Sequence, residues 1–486
     1  MTTLPDWVLK YKEKGTEVKQ INGHYYLYRV RSEYRASEGV SRKVTEAYLG
    51  RLTPDGLVKP RHERVLEAMK EVSVKEYGAS SFVLSVCSDL IELLRRHYPE
   101  EWKELFVMAV VRFFHASPLK NALPHYSSSH LSDAIEGATV SPESLTRLLA
   151  SVGLRRERAV EFMRSFVASG SQAVIDLTHV FSLSEGVISA TLGHNGDGEY
   201  LPQVNLVLLM SLEGHHPSFF RLVPGSVGDV STVTASVREA GLSGALVIGD
   251  KGFYSRDNVV SLERSGLEYI LPLRRNSRLV GYTPTRSGDR RRFDGHFLFD
   301  ERAIWYKEKG VSGVGGNGEK KKRRIILFLD EGLKAEEEKD FMVNVRDGKA
   351  TMSDYYGRQY SMGTIAVITN SSFAAQRTFE LLKERIDIEQ VFDTFKNTLH
   401  ADRSYMRDDA HLQGWMLVNF IALLLYYRVY EILRESGALE SYSPMDVVMH
   451  LSRAYKLRVG ESWLLSEIPK QTRTLMDRLK LQLSIP

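Results

Sequence analysis

Three carboxylates stand in contexts from which they can act together. Asp176 lies in Val174-Ile175-Asp176-Leu177-Thr178, read as the end of an apolar strand, and Asp250 closes a second apolar run, Leu246-Val247-Ile248-Gly249-Asp250. A carboxylate in such a run is costly to bury without a cation or a hydrogen bond, and the carboxyl edge of an open α/β sheet is where ligands gather. Glu389 follows Arg385 by four residues and precedes Lys396 by seven. At about 100° per residue a helix would line these three on one stripe, with Ile388, Val391, Phe392 and Phe395 turned to the core. Taken singly, each has an ordinary reading: Asp before Lys-Gly is turn chemistry, and an i,i+4 pair is common on a solvated helix. Taken together, three carboxylates on one sheet edge cannot all stay ionised without a multivalent cation. Oxygen-only ligation suits Mg²⁺ or Mn²⁺. Two such ions about 3.5–4 Å apart activate an oxygen nucleophile and stabilise the leaving oxygen in phosphodiester cleavage. Arg385 and Lys396 would then hold phosphates on either side.

The elements that position these residues follow from hydrophobic period. Residues 1–60 read as a small, basic, tyrosine-rich β unit with a possible DNA-binding role, ending at the turn Pro54-Asp55-Gly56, and 61–160 as a helical domain. From about 165 the runs Gln172–Leu177, Val187–Leu192, Val204–Leu212 and Phe219–Val223 predict three or four strands. Ala245–Gly249 and Tyr269–Leu273 predict strands flanking a helix at Ser255–Ser265. Gly363–Thr369 predicts another buried strand, followed by one long helix from about Arg377 to Thr398. The expected class is therefore α/β, with a catalytic domain over 165–275 and 361–436, a β-rich insertion over 276–360 and a helical tail over 437–486.

Charge is localised in that insertion. The chain as a whole is +4, but residues 274–324 carry 15 Lys and Arg against 6 Asp and Glu, so the remainder is −5. The cluster includes Lys320, Lys321, Lys322, Arg323 and Arg324, a density that attracts phosphate by counterion release. A charge run by itself is more often a solvated loop. A single cysteine, Cys87, excludes an intramolecular disulfide and a thiolate zinc site, and it reads as a buried small hydrophobe. His194, His215 and His216 lack the spacing of a zinc motif. Trp305 reads as a packed aromatic rather than a platform for a flipped base. The apolar stretch Trp415–Tyr430 is broken by Asn419 and Arg428, so a buried helix is expected rather than a membrane span. With no apolar leader at the start, a cytoplasmic, nucleoid-associated protein is expected.

At its carboxylates the chain resembles the DDE transposases of bacterial and archaeal insertion sequences, specifically insertion sequence family four and its relatives. Their last motif is Y-x2-R-x3-E-x6-K. Arg385, Glu389 and Lys396 match it, and Leu382 stands at the tyrosine position. The Asp-Leu-Thr at Asp176, the run Gly225-Ser226-Val227-Gly228-Asp229, Asp250-Lys251-Gly252-Phe253 and Thr369-Asn370 are also similar to the family's pattern. The resemblance implies an RNase H-like fold and a triad of Asp176, Asp250 and Glu389 holding two Mg²⁺ ions. It further implies cleavage and joining of double-stranded DNA at terminal inverted repeats, by a homodimer. A metal-dependent nuclease of the same fold that does not join ends, and a DNA-binding descendant without catalysis, remain as alternatives on sequence.

Overall fold

A computed structural model describes residues 4–485, apart from 36–38, 62, 65–71, 168–172, 194–197, 212, 213, 215, 228, 229, 243–245, 250–252, 315–319, 385 and 461, and apart from the side chains of 35, 230, 231, 314, 320, 321, 384 and 386–389. The chain divides into two compact units, one of residues 1–77, 453–469 and 482–486, the other of 78–452 and 470–481.

The smaller unit begins as an antiparallel meander, β1 (Thr16–Ile21), β2 (His24–Arg35), β3 (Val40–Thr53) and β4 (Gly56–Val58). Its core is Val8, Leu27 and Leu52, with Trp7, Tyr25 and Leu57 packed around them. Next comes β5 (Ser73–Glu76), in a stretch the sequence had suggested was helical.

The larger unit contains the carboxylates and the basic run singled out in the sequence. Three strands, β6 (Ala173–Ser182), β7 (Gln203–Ser211) and β8 (His216–Pro224), form an antiparallel run in which every residue of β7 is buried. Val187–Leu192, expected as a strand, makes only a single bridge, Thr191 to Gln203. A helix, Val230–Ala240, leads to β9 (Leu246–Ile248), and the helix Arg256–Arg264 returns the chain to β10 (Glu268–Leu273), parallel to β9. A parallel strand pair needs such a crossover to bring the second strand alongside the first.

The basic segment is rich in strands. It folds as β11 (Gly295–Phe299), β12 (Arg302–Val314) and β13 (Lys320–Asp330), and β13 pairs directly with β14 (Thr364–Thr369), giving the order β11-β12-β13-β14-β10-β9. Ile325, Ile326, Leu327, Phe328 and Leu329 are at most 3% exposed. The cationic run is thus the first half of a strand whose second half is core, so burial of that half holds the cationic half in the same sheet.

Further on, the helical run is Ala375–Glu384, Ile386–Asp393 and a π turn at Thr394–Thr398, followed by β15 (Arg403–Ser404), which pairs with β6. The helix Asp409–Glu435 is long and apolar enough to cross a membrane, yet most of it is buried in protein. It packs on the helices Trp102–His115 and Pro142–Leu154 and on β8. Gly153 and Gly414 permit the second of these crossings, since a Cβ on either would meet a backbone carbonyl oxygen of the other helix at about 2 Å. The tail, expected to be helical, instead includes β16 (Tyr455–Val459) and β17 (Ser462–Leu465), and β16 pairs with β5 in the smaller unit.

Candidate active site

β6 is the axis of the site. It pairs with β7 along one edge, meets β15 at its far end, and runs beside β9. The helix Ile386–Asp393, which carries Glu389, packs on β6 as well. β6 with Asp176, the strand that leads toward Asp250 and the helix that carries Glu389 are therefore neighbours.

Asp176 is half-buried, and its Oδ1 accepts a hydrogen bond from the Leu177 N–H at 2.9 Å. It is not at the end of its strand. It is the fourth of ten residues and lies opposite Leu208, because pairing with β7 extends β6 through Thr178-His179-Val180-Phe181, beyond the apolar run that marked the strand in the sequence. Asp250 lies outside the described residues, but the residue before it is tightly framed. Gly249 N–H donates to Ile270 O at 3.3 Å, prolonging the β9–β10 ladder. A Cβ on Gly249 would sit 2.8 Å from Leu271 Cδ2 and 2.9 Å from Phe253 Cβ. Only glycine lets Phe253 close over the strand end in this way. Glu389 is helical, with its side chain outside the described set, and Arg385 lies wholly outside it.

Lys396 is half-buried in the π turn, with its Nζ 3.4 Å from His179 Nε2. The π turn closes i to i+5 rather than i to i+4, so the 100° stripe that aligned Lys396 with Glu389 does not hold past Asp393. Alternation along β6 sets Asp176 and His179 on opposite faces, three residues apart, which is about 10 Å along the strand. His179 is 7% exposed and its ring stacks at a tilt on Phe181, 4.7 Å between centroids. This contact was not among the residues singled out in the sequence. Its only signal there is a histidine three positions after Asp176.

The basic cluster is split by the sheet. Arg323 forks onto Glu263 at 2.7 and 2.8 Å, with Tyr269 Oη donating to the same carboxylate at 2.9 Å. Arg324 donates to Glu308 Oε2 and to the carbonyls of Ser371 and Phe373. Both arginines are committed to holding the sheet. Lys322 is exposed, while Lys320 and Lys321 lie on β13 with side chains outside the described set.

Of the other motif residues, Asn370 has a structural place. Asn370 Oδ1 accepts from Tyr269 N–H at 2.9 Å and its amide donates to Leu267 O at 3.0 Å, fastening β10 beside β14. Leu382 lines a cleft of about 510 Å³ with Arg274, Arg275 and Lys383. Trp305 packs among Phe293, His296 and Arg290. Cys87 is 1% exposed, and burial pushes its thiol up to about 12. Among the described residues no group of three or more His, Cys, Asp or Glu is placed to hold a metal ion. His216 turns its Nδ1 to Pro217 O, while His194, His215 and Asp229 lie outside the described residues.

The fold is thus mixed α/β with several sheets, and its candidate site is a strand aspartate under a glutamate-bearing helix. The transposase DDE domain family matches residues 175–425, just over half of the chain, and the chain belongs to that family. Among solved structures it is similar to the cryo-electron-microscopy structure of a piggyBac transposase synaptic complex with hairpin DNA, at 9% identity and a TM-score of 0.37, covering 79% of this chain and 76% of that one. No curated protein matches it.

Proposed function

We propose that this chain is a transposase that binds the terminal inverted repeats of a mobile element as a homodimer and carries out metal-dependent DNA cleavage and strand transfer. The observation that carries the reading is the family match, whose span, 175–425, contains Asp176, the strand leading to Asp250 and the helix bearing Glu389. The antiparallel β6–β7–β8 run, with β9 beside β6, supports an RNase H-like core, and the quoted motifs support insertion sequence family four.

Asp176, Asp250 and Glu389 are the residues that would hold two Mg²⁺ or Mn²⁺ ions. An all-oxygen donor set that includes half-buried Asp176 suits these hard cations. When bound, such ions supply an activated oxygen nucleophile and neutralise charge on the leaving oxygen. The chain's own part is to seat the DNA. Arg385 can fork onto two phosphate oxygens, and Lys396 acts as a point charge anchored beside His179. Exposed Lys322 adds attraction for the backbone, and the site of action is the cytoplasm.

The test is cleavage of end-labelled duplexes carrying the sequences that flank the gene, with a plasmid as target. Asp176→Ala, Asp250→Ala and Glu389→Ala should each abolish cutting while DNA binding persists, and Ca²⁺ should support binding without cutting. Joined products distinguish a transposase from a nuclease. Wild-type cutting by any of the three variants overturns the triad.

A further inference from the structure

The exit of the Glu389 helix is held by a residue 287 positions earlier. Arg112, on the helix Trp102–His115, is 2% exposed. Its Nε donates to Asn419 Oδ1 at 3.0 Å, and its Nη1 donates to Ala116 O at 3.2 Å and Ser117 O at 3.0 Å. Its Nη2 donates to Leu399 O and, at 3.4 Å, to His400 O. These five acceptors are all neutral. Asn419 is itself oriented by its amide, which donates to Trp415 O at 2.8 Å.

Leu399 and His400 directly follow the π turn. Leu399 N–H closes onto Thr394 O, His400 is left-handed at φ +48°, and Ala401 N–H returns to Phe395 O. The last carbonyls of a helix have no partners of their own and favour a cation. Here that cation comes from the helical layer, and its planar fork fixes two successive carbonyls at once. π turns recur at functional sites, where the irregular backbone must be held in place from outside.

We propose that Arg112 is a positioning residue for catalysis: by clamping Leu399 and His400 it fixes how the helix of Glu389 and Lys396 lies on β6. This rests on the transposase reading above. The charge alone does not suffice, because an ammonium cannot span Asn419, the Ala116–Ser117 carbonyls and the Leu399–His400 carbonyls together.

The experiment compares full-length wild type with Arg112→Lys by two readouts. The first is hydrogen exchange over residues 386–401, which needs no activity. Exchange there should become faster in Arg112→Lys while the amides of β7 and β13 keep their protection. The second is single-turnover cleavage at saturating DNA across a Mn²⁺ titration. The rate should fall by up to about 10²-fold, as expected for a misplacement near 1 Å, with a raised half-saturating Mn²⁺ and unchanged DNA affinity. If Arg112→Lys does not fold, Asn419→Ala is read in the same way and should shift both readouts in the same direction. Unchanged exchange over 386–401 overturns the clamp, and so does loosening spread evenly through the unit. Local loosening with a normal rate and Mn²⁺ dependence overturns the positioning role. If the wild type cuts no DNA but the local loosening appears, the clamp stands and the transposase reading fails.

Discussion

Arg323 sits in the densest cationic run of the chain, yet the structure spends it on Glu263. The side chains are 11% and 2% exposed, and the two hydrogen bonds are 2.7 and 2.8 Å. The bond to Glu263 holds the guanidinium above its usual range, and burial, with Glu263 beside it, pushes the Tyr269 hydroxyl up. Arg323→Ala would remove the cation that balances a buried carboxylate, a change that costs about 3–5 kcal/mol. Arg323→Met with Glu263→Gln removes both charges and leaves Tyr269 an acceptor, so most of that loss should return. The two units need not unfold together, so the assay is native-state hydrogen exchange at the amides of β10 and β13, read residue by residue. In DNA binding, Arg323→Met with Glu263→Gln should keep the wild-type slope of log affinity against log salt. By contrast, Lys322→Gln should leave stability within about 0.5 kcal/mol and reduce the slope by up to about 0.9 per phosphate lost. A loss below about 1 kcal/mol for Arg323→Ala, the range of exposed pairs, would refute the argument. So would a reduced salt slope in the double variant, which would make Arg323 a phosphate contact.

Gly249→Ala should cost about 1–3 kcal/mol by overpacking against Leu271 and Phe253, and it should slow DNA cutting as well, since Asp250 is the next residue; urea unfolding and cleavage measured on the same preparation check this. His115 keeps solvent exposure but is stacked on His125 at 3.9 Å, and partial desolvation, then the neighbouring imidazole, pushes it down to about 4. A base with a lowered folded pKa stays neutral while the unfolded chain takes up the proton, so stability is present above about pH 6.5 and is lost as pH falls toward 4. His115→Asn should flatten that part of the stability–pH curve in thermal melts. Cys87, with its thiol pushed up to about 12, should resist alkylation at pH 8 until the chain unfolds, as read by mass spectrometry across a urea series.

Apolar runs were legible without the fold. Leu246–Ile248, Tyr269–Leu273 and Gly363–Thr369 lie in strands or at their edges, and in the structure Ser141 and Ser443, each before a proline, cap the helices they open by accepting an N–H with the side chain. These features depend on a residue and its near neighbours, so their signal is local. Asp176 and Glu389 were legible by type and by the strand and the helix they sit on, while Asp250 lies outside the described residues. The sequence could not show that Asp176 lies within β6, because pairing with β7 sets where that strand stops. Nor could it show that Lys320–Arg324 begins a core strand, since Arg323 finds Glu263 sixty positions away and β13 finds β14 across two intervening helices. Likewise β5 pairs with β16 near the other end of the chain, and Lys396 leaves its stripe because the π turn exits under Arg112. Periodicity records which face of an element is buried. Partner, register and turn phase are fixed only when distant segments compete for the same hydrogen bonds and the same buried volume, and that competition is settled by the tertiary structure.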